Sequence, residues 1–234
     1  MLRSALGKQI MNQSVKKKRV AILISGRGSN MQALVAAARA PDYPAEIALV
    51  VSNCPEAPGL AWAQEQGLPT VALDHKRYES RAHFEGQLQS LLELSHVDLV
   101  ALAGFMRLMT PEFVAGWHGR MINIHPSLLP SFKGLHTHRQ ALSAGARISG
   151  CTVHFVSAEM DAGPIIAQAA VPVLYSDTEE ALAARVLAAE HKLYPAALAM
   201  VANDQASLRE TSVVWQGVGA TEINHPEALF SPSL

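Results

Sequence analysis

VAILISGRGSNMQALVAAARA, residues 20–40, holds a strand, a turn and a helix in succession. VAILIS (20–25) is a short apolar, β-branched run bounded by glycine, and reads as a buried strand. GRGSN (26–30) turns the chain, and MQALVAAARA (31–40) is built from strong helix formers. The pattern recurs outward. EIALVVS (46–52) reads as a second strand, Leu60–Gln66 as a helix ending at Gly67, and Thr70–Leu73 as a third strand. Phe84, Leu88, Leu91 and Leu92 share one face of an amphipathic helix. VDLVALAG (97–104) is almost wholly apolar, as a strand covered on both faces should be. Strands alternate with helices, so the expected fold class is α/β, a Rossmann-like, doubly wound, mostly parallel sheet.

After Phe105 the texture changes. Short strands are expected at Met121–Ile124, Cys151–Val156 and Ile165–Val173, between Gly- and Pro-rich loops. Ser176-Asp177-Thr178-Glu179 has the pattern of a capping box opening a helix through about His191, which Pro195 is expected to stop. From about Ser207 periodicity weakens, and a tail draped on the surface is expected.

The composition, 49% hydrophobic and 17% charged over 234 residues, supplies a core and excludes intrinsic disorder. Two cysteines, Cys54 and Cys151, make no disulfide framework, and no apolar run approaches the ~20 residues of a membrane helix. MLRSALGKQIMNQSVKKKR lacks the apolar stretch of a secretory signal, so a reduced, cytoplasmic setting is expected, with no membrane partner. Net charge is −1, yet six basic residues fall between Arg3 and Arg19, leaving 13 basic against 20 acidic in the remainder. Residues 1–19 therefore read as a basic, disordered arm. The Lys16–Arg19 run suits a solvated segment better than a nucleic-acid patch, and no nucleic-acid partner is expected. Met11 offers a later start.

Glycine in SGRGSN lets the backbone bring N–H groups close to an anion, and the following helix start adds unpaired donors. The pattern is not a dinucleotide fingerprint. Met31 occupies the third glycine position, and the second strand ends in Asn53 rather than an acidic residue. No Gly-Lys-Ser/Thr follows, which excludes a Walker loop. A single phosphate on a small substrate fits, as does an ordinary glycine-rich turn capped by Ser29 or Asn30.

Four of the ten histidines, His125, His136, His138 and His154, lie within thirty residues. His136-x-His138 suggests a metal, but neither HExxH nor a Cys ligand set accompanies it, so no metal is expected. Asn123-Ile124-His125 is different. In an extended segment Asn123 and His125 project from one face, pairing an amide donor with a titratable imidazole, as an acyl-transfer site requires. Pro126 holds His125 extended. Downstream, Asp161 lies in a turn, DAGP, and a carboxylate facing His125 would favour the imidazolium.

ILISGRGSN (22–30), LAGFMRLM (102–109), NIHPSLLPSFKGLHTHRQAL (123–142), CTVHFV (151–156), MDAGPIIAQ (160–168) and AEHKLYP (189–195) together resemble the folate-dependent formyltransferase family. KGLHTHRQAL with SGRGSN is similar to its glycinamide ribonucleotide branch. The resemblance spans roughly residues 20–200. It implies formyl transfer from 10-formyltetrahydrofolate, as co-substrate, to the amine of 5-phosphoribosylglycinamide in purine biosynthesis, with no metal and no nucleotide cofactor. By position it implies Asn123, His125 and Asp161 as catalytic and Gly28, Ser29, Asn30 and Glu190 as substrate-binding. It implies Arg81, Met106, Arg107, Leu108, Met109 and Asn123 at the folate pocket. Ala162 replaces a glycine seen in some members, which concerns local turn geometry.

The expected organisation is then one domain, 20–205, with a phosphate-binding half (20–105) and a catalytic and folate half (106–205), followed by a tail (206–234). Monomer and homodimer are both compatible with it. In the expected chemistry Asn123 and His125 stabilise a tetrahedral oxyanion, and Asp161 keeps His125 charged. The alternatives are a 10-formyltetrahydrofolate hydrolase and a non-catalytic phosphosugar- or folate-binding protein. The hydrolase typically carries an extra amino-terminal domain, for which twenty residues leave no room.

Overall fold

Apolar residues on successive positions of the central strands have nowhere to go but under helices on both faces. A computed structural model, describing residues 16–217, shows that arrangement. In chain order the elements are β1 (Lys18–Ile24), α1 (Ser29–Ala38), β2 (Ala45–Ser52), α2 (Pro58–Glu65) and β3 (Thr70–Ala72). Next come α3 (Arg81–Leu94), β4 (Leu99–Leu102), α4 (Pro111–Gly116), β5 (Met121–His125) and α5 (Thr137–Ser143). The chain continues with β6 (Ile148–Phe155), β7 (Ile165–Pro172), α6 (Glu179–Ala202), β8 (Ala206–Arg209) and β9 (Ser212–Trp215). The main sheet has the order β3-β2-β1-β4-β5-β6-β7. Its pairings are parallel from β3 through β5 and antiparallel for β5–β6 and β6–β7.

Alternate residues of the central strands feed opposite cores. Val20, Ile22, Ile24 and Ala101 pack with Met31 and Leu34 of α1 and Val186 and Leu198 of α6. Ala21, Leu23, Val100 and Leu102 pack with Phe84, Leu88 and Leu92 of α3. The doubly wound, mostly parallel sheet expected from the sequence is therefore present.

Three local expectations are corrected. Strand β1 begins at Lys18, inside the stretch expected as an arm: Arg19 donates its backbone N–H to Asp98 at 2.8 Å and pairs with Glu46 at 2.6 Å. Pro195 does not end the last helix, which runs to Ala202 with Thr178 as its cap. An internal proline costs about 3 kcal/mol. Beyond it Leu198 and Val201 are buried, each contributing about 1.5–3 kcal/mol, so packing outweighs the local break. The Tyr43 hydroxyl donates to the Pro195 carbonyl at 2.7 Å, and the buried Tyr194 hydroxyl donates to the Leu102 carbonyl at 2.9 Å. Finally, residues 206–215 of the expected tail form the β8–β9 hairpin, with Leu208 and Val213 packed on the core. The remaining arm, through Val15, and the tail from Val218 lie outside the described residues.

Candidate active site

In an open α/β sheet the ligand crevice lies at the carboxyl ends of the strands, where the winding reverses. Here β1 has β2 on one side and β4 on the other, so the crevice opens at Ser25 and the loop beyond it.

That loop is shaped by glycine. Gly28, at φ 71, precedes α1, and no side chain caps the helix, leaving its first backbone N–H groups unpaired. Gly59 of α2 donates its N–H to the Gly26 carbonyl at 3.1 Å, and a Cβ on Gly59 would sit 2.8 Å from that oxygen. The loop and the start of α2 thus touch backbone to backbone. Asn30 reaches across to α6, donating its amide to Glu190 at 2.7 Å. The Asn30 Oδ1 is buried without a partner. Glu190 is 5% exposed, and burial pushes its carboxyl up, with the Asn30 bond pulling it back.

Asn123 and His125 lie at the end of β5, facing His154 and Thr152 of β6 across the antiparallel register. The Asp161 carboxylate stands 3.4 Å from His125 Nδ1 and 3.9 Å from His154 Nε2, and accepts the Gly134 N–H at 2.9 Å. Asp161 has φ 50, a left-handed conformation that Asp tolerates better than most residues. The turn then presses onto β6: a Cβ on Gly163 would lie 1.7 Å from the Phe155 carbonyl oxygen, so only glycine fits.

His154 had no role in the sequence reading and proves central. Its Nδ1–H donates to the Phe155 carbonyl at 2.9 Å, which leaves Nε2 to accept the Asn123 amide at 3.2 Å. Burial lowers its pKa, with Asp161 and the Phe155 bond opposing, and so favours the neutral ring this arrangement requires. The only sequence signal was its seven-residue spacing from Asp161 in a strand that turns back toward β5. Thr152 supports the following loop, donating to the Ser127 carbonyl at 2.7 Å and accepting from Leu129 N at 3.0 Å.

The 105–110 segment, leaving β4, borders the same crevice. Met106 and Leu108 are exposed, 70% and 56%. The Arg107 guanidinium stacks 5.0 Å from the centre of the Phe84 ring, and Met109 packs against the α3 side of the core. Arg81 is exposed in the first turn of α3, one turn ahead of Phe84. His136 opens α5 at φ 58, and burial lowers the pKa of His138, with Glu179 opposing. Among the described residues no set of three His, Cys, Asp or Glu side chains could hold a metal ion.

The fold is a doubly wound α/β sheet, with a glycine loop and an Asn–His–Asp group at the ends of its strands. More particularly, the chain belongs to the formyl transferase family, whose sequence model matches residues 18–198. It is 41% identical over 198 residues to the phosphoribosylglycinamide formyltransferase of Escherichia coli, covering 85% of this chain and 93% of that protein. It is 50% identical over 199 residues to the human trifunctional purine biosynthetic protein adenosine-3, of which it spans 20%. The crystal structure of glycinamide ribonucleotide transformylase 1 from Symbiobacterium toebii superposes with a TM-score of 0.82 at 44% identity, covering 85% of this chain and 94% of that one. The family expected from the motifs is thus established. No helix among the described residues is long and apolar enough to cross a membrane.

Proposed function

We propose that the chain transfers the formyl group of 10-formyltetrahydrofolate to the amine of 5-phosphoribosylglycinamide, in the cytoplasm and in de novo purine biosynthesis. The observation that carries this reading is the Asp161–His125 pair, 3.4 Å apart, beside an Asn123 amide held by His154. Simple binding of a phosphosugar or folate would not call for this acid–base set. The relative of matching length is named for the same reaction.

In this reading the phosphate rests on the backbone N–H groups of Gly28, Ser29 and Asn30, with α1 directed at it. Glu190 accepts hydrogen bonds from the ribonucleotide, fixed by Asn30. Arg81 and Met106–Met109 contact the folate. The substrate's neutral amine attacks the formyl carbon, and the carbonyl oxygen becomes an oxyanion. Asn123 has two amide hydrogens. One is committed to His154, and the other is free for the oxyanion.

His125 supplies the second donor. Its Nε2–H donates to the Phe132 carbonyl at 3.0 Å, while Nδ1 faces Asp161. A carboxylate only accepts, so this pairing is complete when both ring nitrogens carry protons. Donation to the oxyanion then requires exchanging one bond, and the Phe132 carbonyl, a neutral acceptor, holds the ring less strongly than the Asp161 carboxylate does. Collapse of the intermediate breaks the bond from the formyl carbon to N10. The proton lost by the attacking amine ends on N10, and tetrahydrofolate leaves.

One incubation tests the assignment: the protein with 10-formyltetrahydrofolate, with and without 5-phosphoribosylglycinamide. Tetrahydrofolate release only with the ribonucleotide is expected. Release in water alone would mean a hydrolase, and release in neither would mean a binding protein.

A further inference from the structure

Ser25 is absorbed by none of the roles above, yet it stands where three strand ends meet. The β1–β4 pairing ends at Leu23–Leu102, after which the two chains part, one into the glycine loop and the other into the 105–110 segment. Two contacts of Ser25 bridge the gap. Its backbone N–H donates to the Gly104 carbonyl at 3.1 Å, and its Oγ accepts the Met106 N–H at 2.8 Å. The same hydroxyl donates to Asn53 Oδ1 at 2.5 Å. Asn53 is buried just past the end of β2, with its Nδ2 3.1 Å from His75 Nδ1.

The far end of the segment is held separately. Glu85, 4% exposed in α3, accepts the Thr110 N–H at 2.8 Å and the Thr110 hydroxyl. With Thr110 anchored and Arg107 stacked on Phe84, the position of residues 104–106 depends on the Ser25 end. At Gly104, φ is 76, so the backbone turns there, two residues before the Met106 N–H that Ser25 holds.

We infer that Ser25 is a positioning residue: its hydroxyl sets the distance between the phosphate loop, which begins at Gly26, and the folate-facing backbone at Met106. This rests on the folate reading above, because the segment it restrains is the one assigned to the folate. An alanine leaves the Met106 N–H and the buried Asn53 Oδ1 without their shared partner, and the folate side of the crevice loosens. Threonine keeps the hydroxyl.

Calorimetric titration with tetrahydrofolate, followed by steady-state kinetics, tests this on wild type, Ser25→Ala and Ser25→Thr. Ser25→Ala should weaken tetrahydrofolate binding and raise the folate KM about tenfold, the size of one lost hydrogen bond to a buried group. Its kcat should stay within about twofold, and Ser25→Thr should recover most of the binding. If wild type binds and transfers but Ser25→Ala binds equally well, or loses kcat alone, the Ser25 assignment fails while the function stands. A Ser25→Thr protein that behaves like the alanine variant also overturns it. Failure of wild type itself to bind tetrahydrofolate would remove the folate reading and this inference together.

Discussion

The glycine loop and the Asn–His–Asp group share one edge of one sheet but are made of different material. The loop is backbone: unpaired N–H groups, a left-handed glycine, and the Gly26 carbonyl against Gly59, where a Cβ has no room. The group proposed as catalytic is side chain, assembled from β5, β6 and the turn before β7, each member held by another. Backbone sites tolerate much as long as the turn survives. Side-chain sites fail when one functional group changes, even if the fold does not move.

The largest test of that contrast is Asp161→Asn. The amide keeps the size and can still accept from Gly134, but it removes the charge beside His125. Turnover should drop by about 10²–10⁴-fold with little change in either KM, as expected for a group acting through an acid–base partner. Unaltered turnover would mean that Asp161 only shapes the turn.

Next in size is a pair of glycine substitutions read by denaturant titration. Gly163→Ala forces a Cβ to 1.7 Å from a strand carbonyl and should cost about 3 kcal/mol, near the upper end for overpacking. Gly28→Ala meets the end of the Met31 side chain at 2.9 Å and the Gly59 Cα at 3.3 Å, at a positive φ, and should cost about 1–2 kcal/mol while raising the ribonucleotide KM. Equal losses at the two positions would erase the distinction between a turn that fixes side chains and one that presents backbone.

The smallest effect expected is a pH dependence at Glu190. Burial raises its folded pKa, so the folded state holds the proton more readily than the unfolded chain. Its stabilising contribution is therefore full below the ordinary carboxylate range and is lost as pH rises through the folded value. Glu190→Gln removes that loss while keeping an acceptor for Asn30. The variant's melting temperature should gain on wild type as pH rises above the ordinary carboxylate range. A difference that stays constant as pH rises would contradict the raised value. His154 has the opposite sign. Its pKa is lowered, so its contribution is present above the ordinary histidine value and lost on acidification, when a protonated Nε2 can no longer accept the Asn123 amide.

Much of the fold and site is legible in the sequence. The alternation around VAILISGRGSN identified a doubly wound α/β sheet, because strand and helix periodicities are local and survive in one dimension. Asn123 and His125 were readable as a pair for the same reason, since i and i+2 on a strand share a face. Pro195 misled for the complementary reason: a local helix breaker was outweighed by apolar residues that only the fold brings beneath the helix.

The order of strands and helices, the glycine turn and the candidate chemistry of single residues are all written in the chain. All of these depend on neighbours a few positions apart. Tertiary structure alone decided which side chains meet. Asn30 finds Glu190 160 residues away, Asn123 finds His154 31 away, and Ser25 joins Asn53 to Met106 across three strand ends. Those contacts depend on the register and crossing of distant strands, which no spacing along the chain encodes.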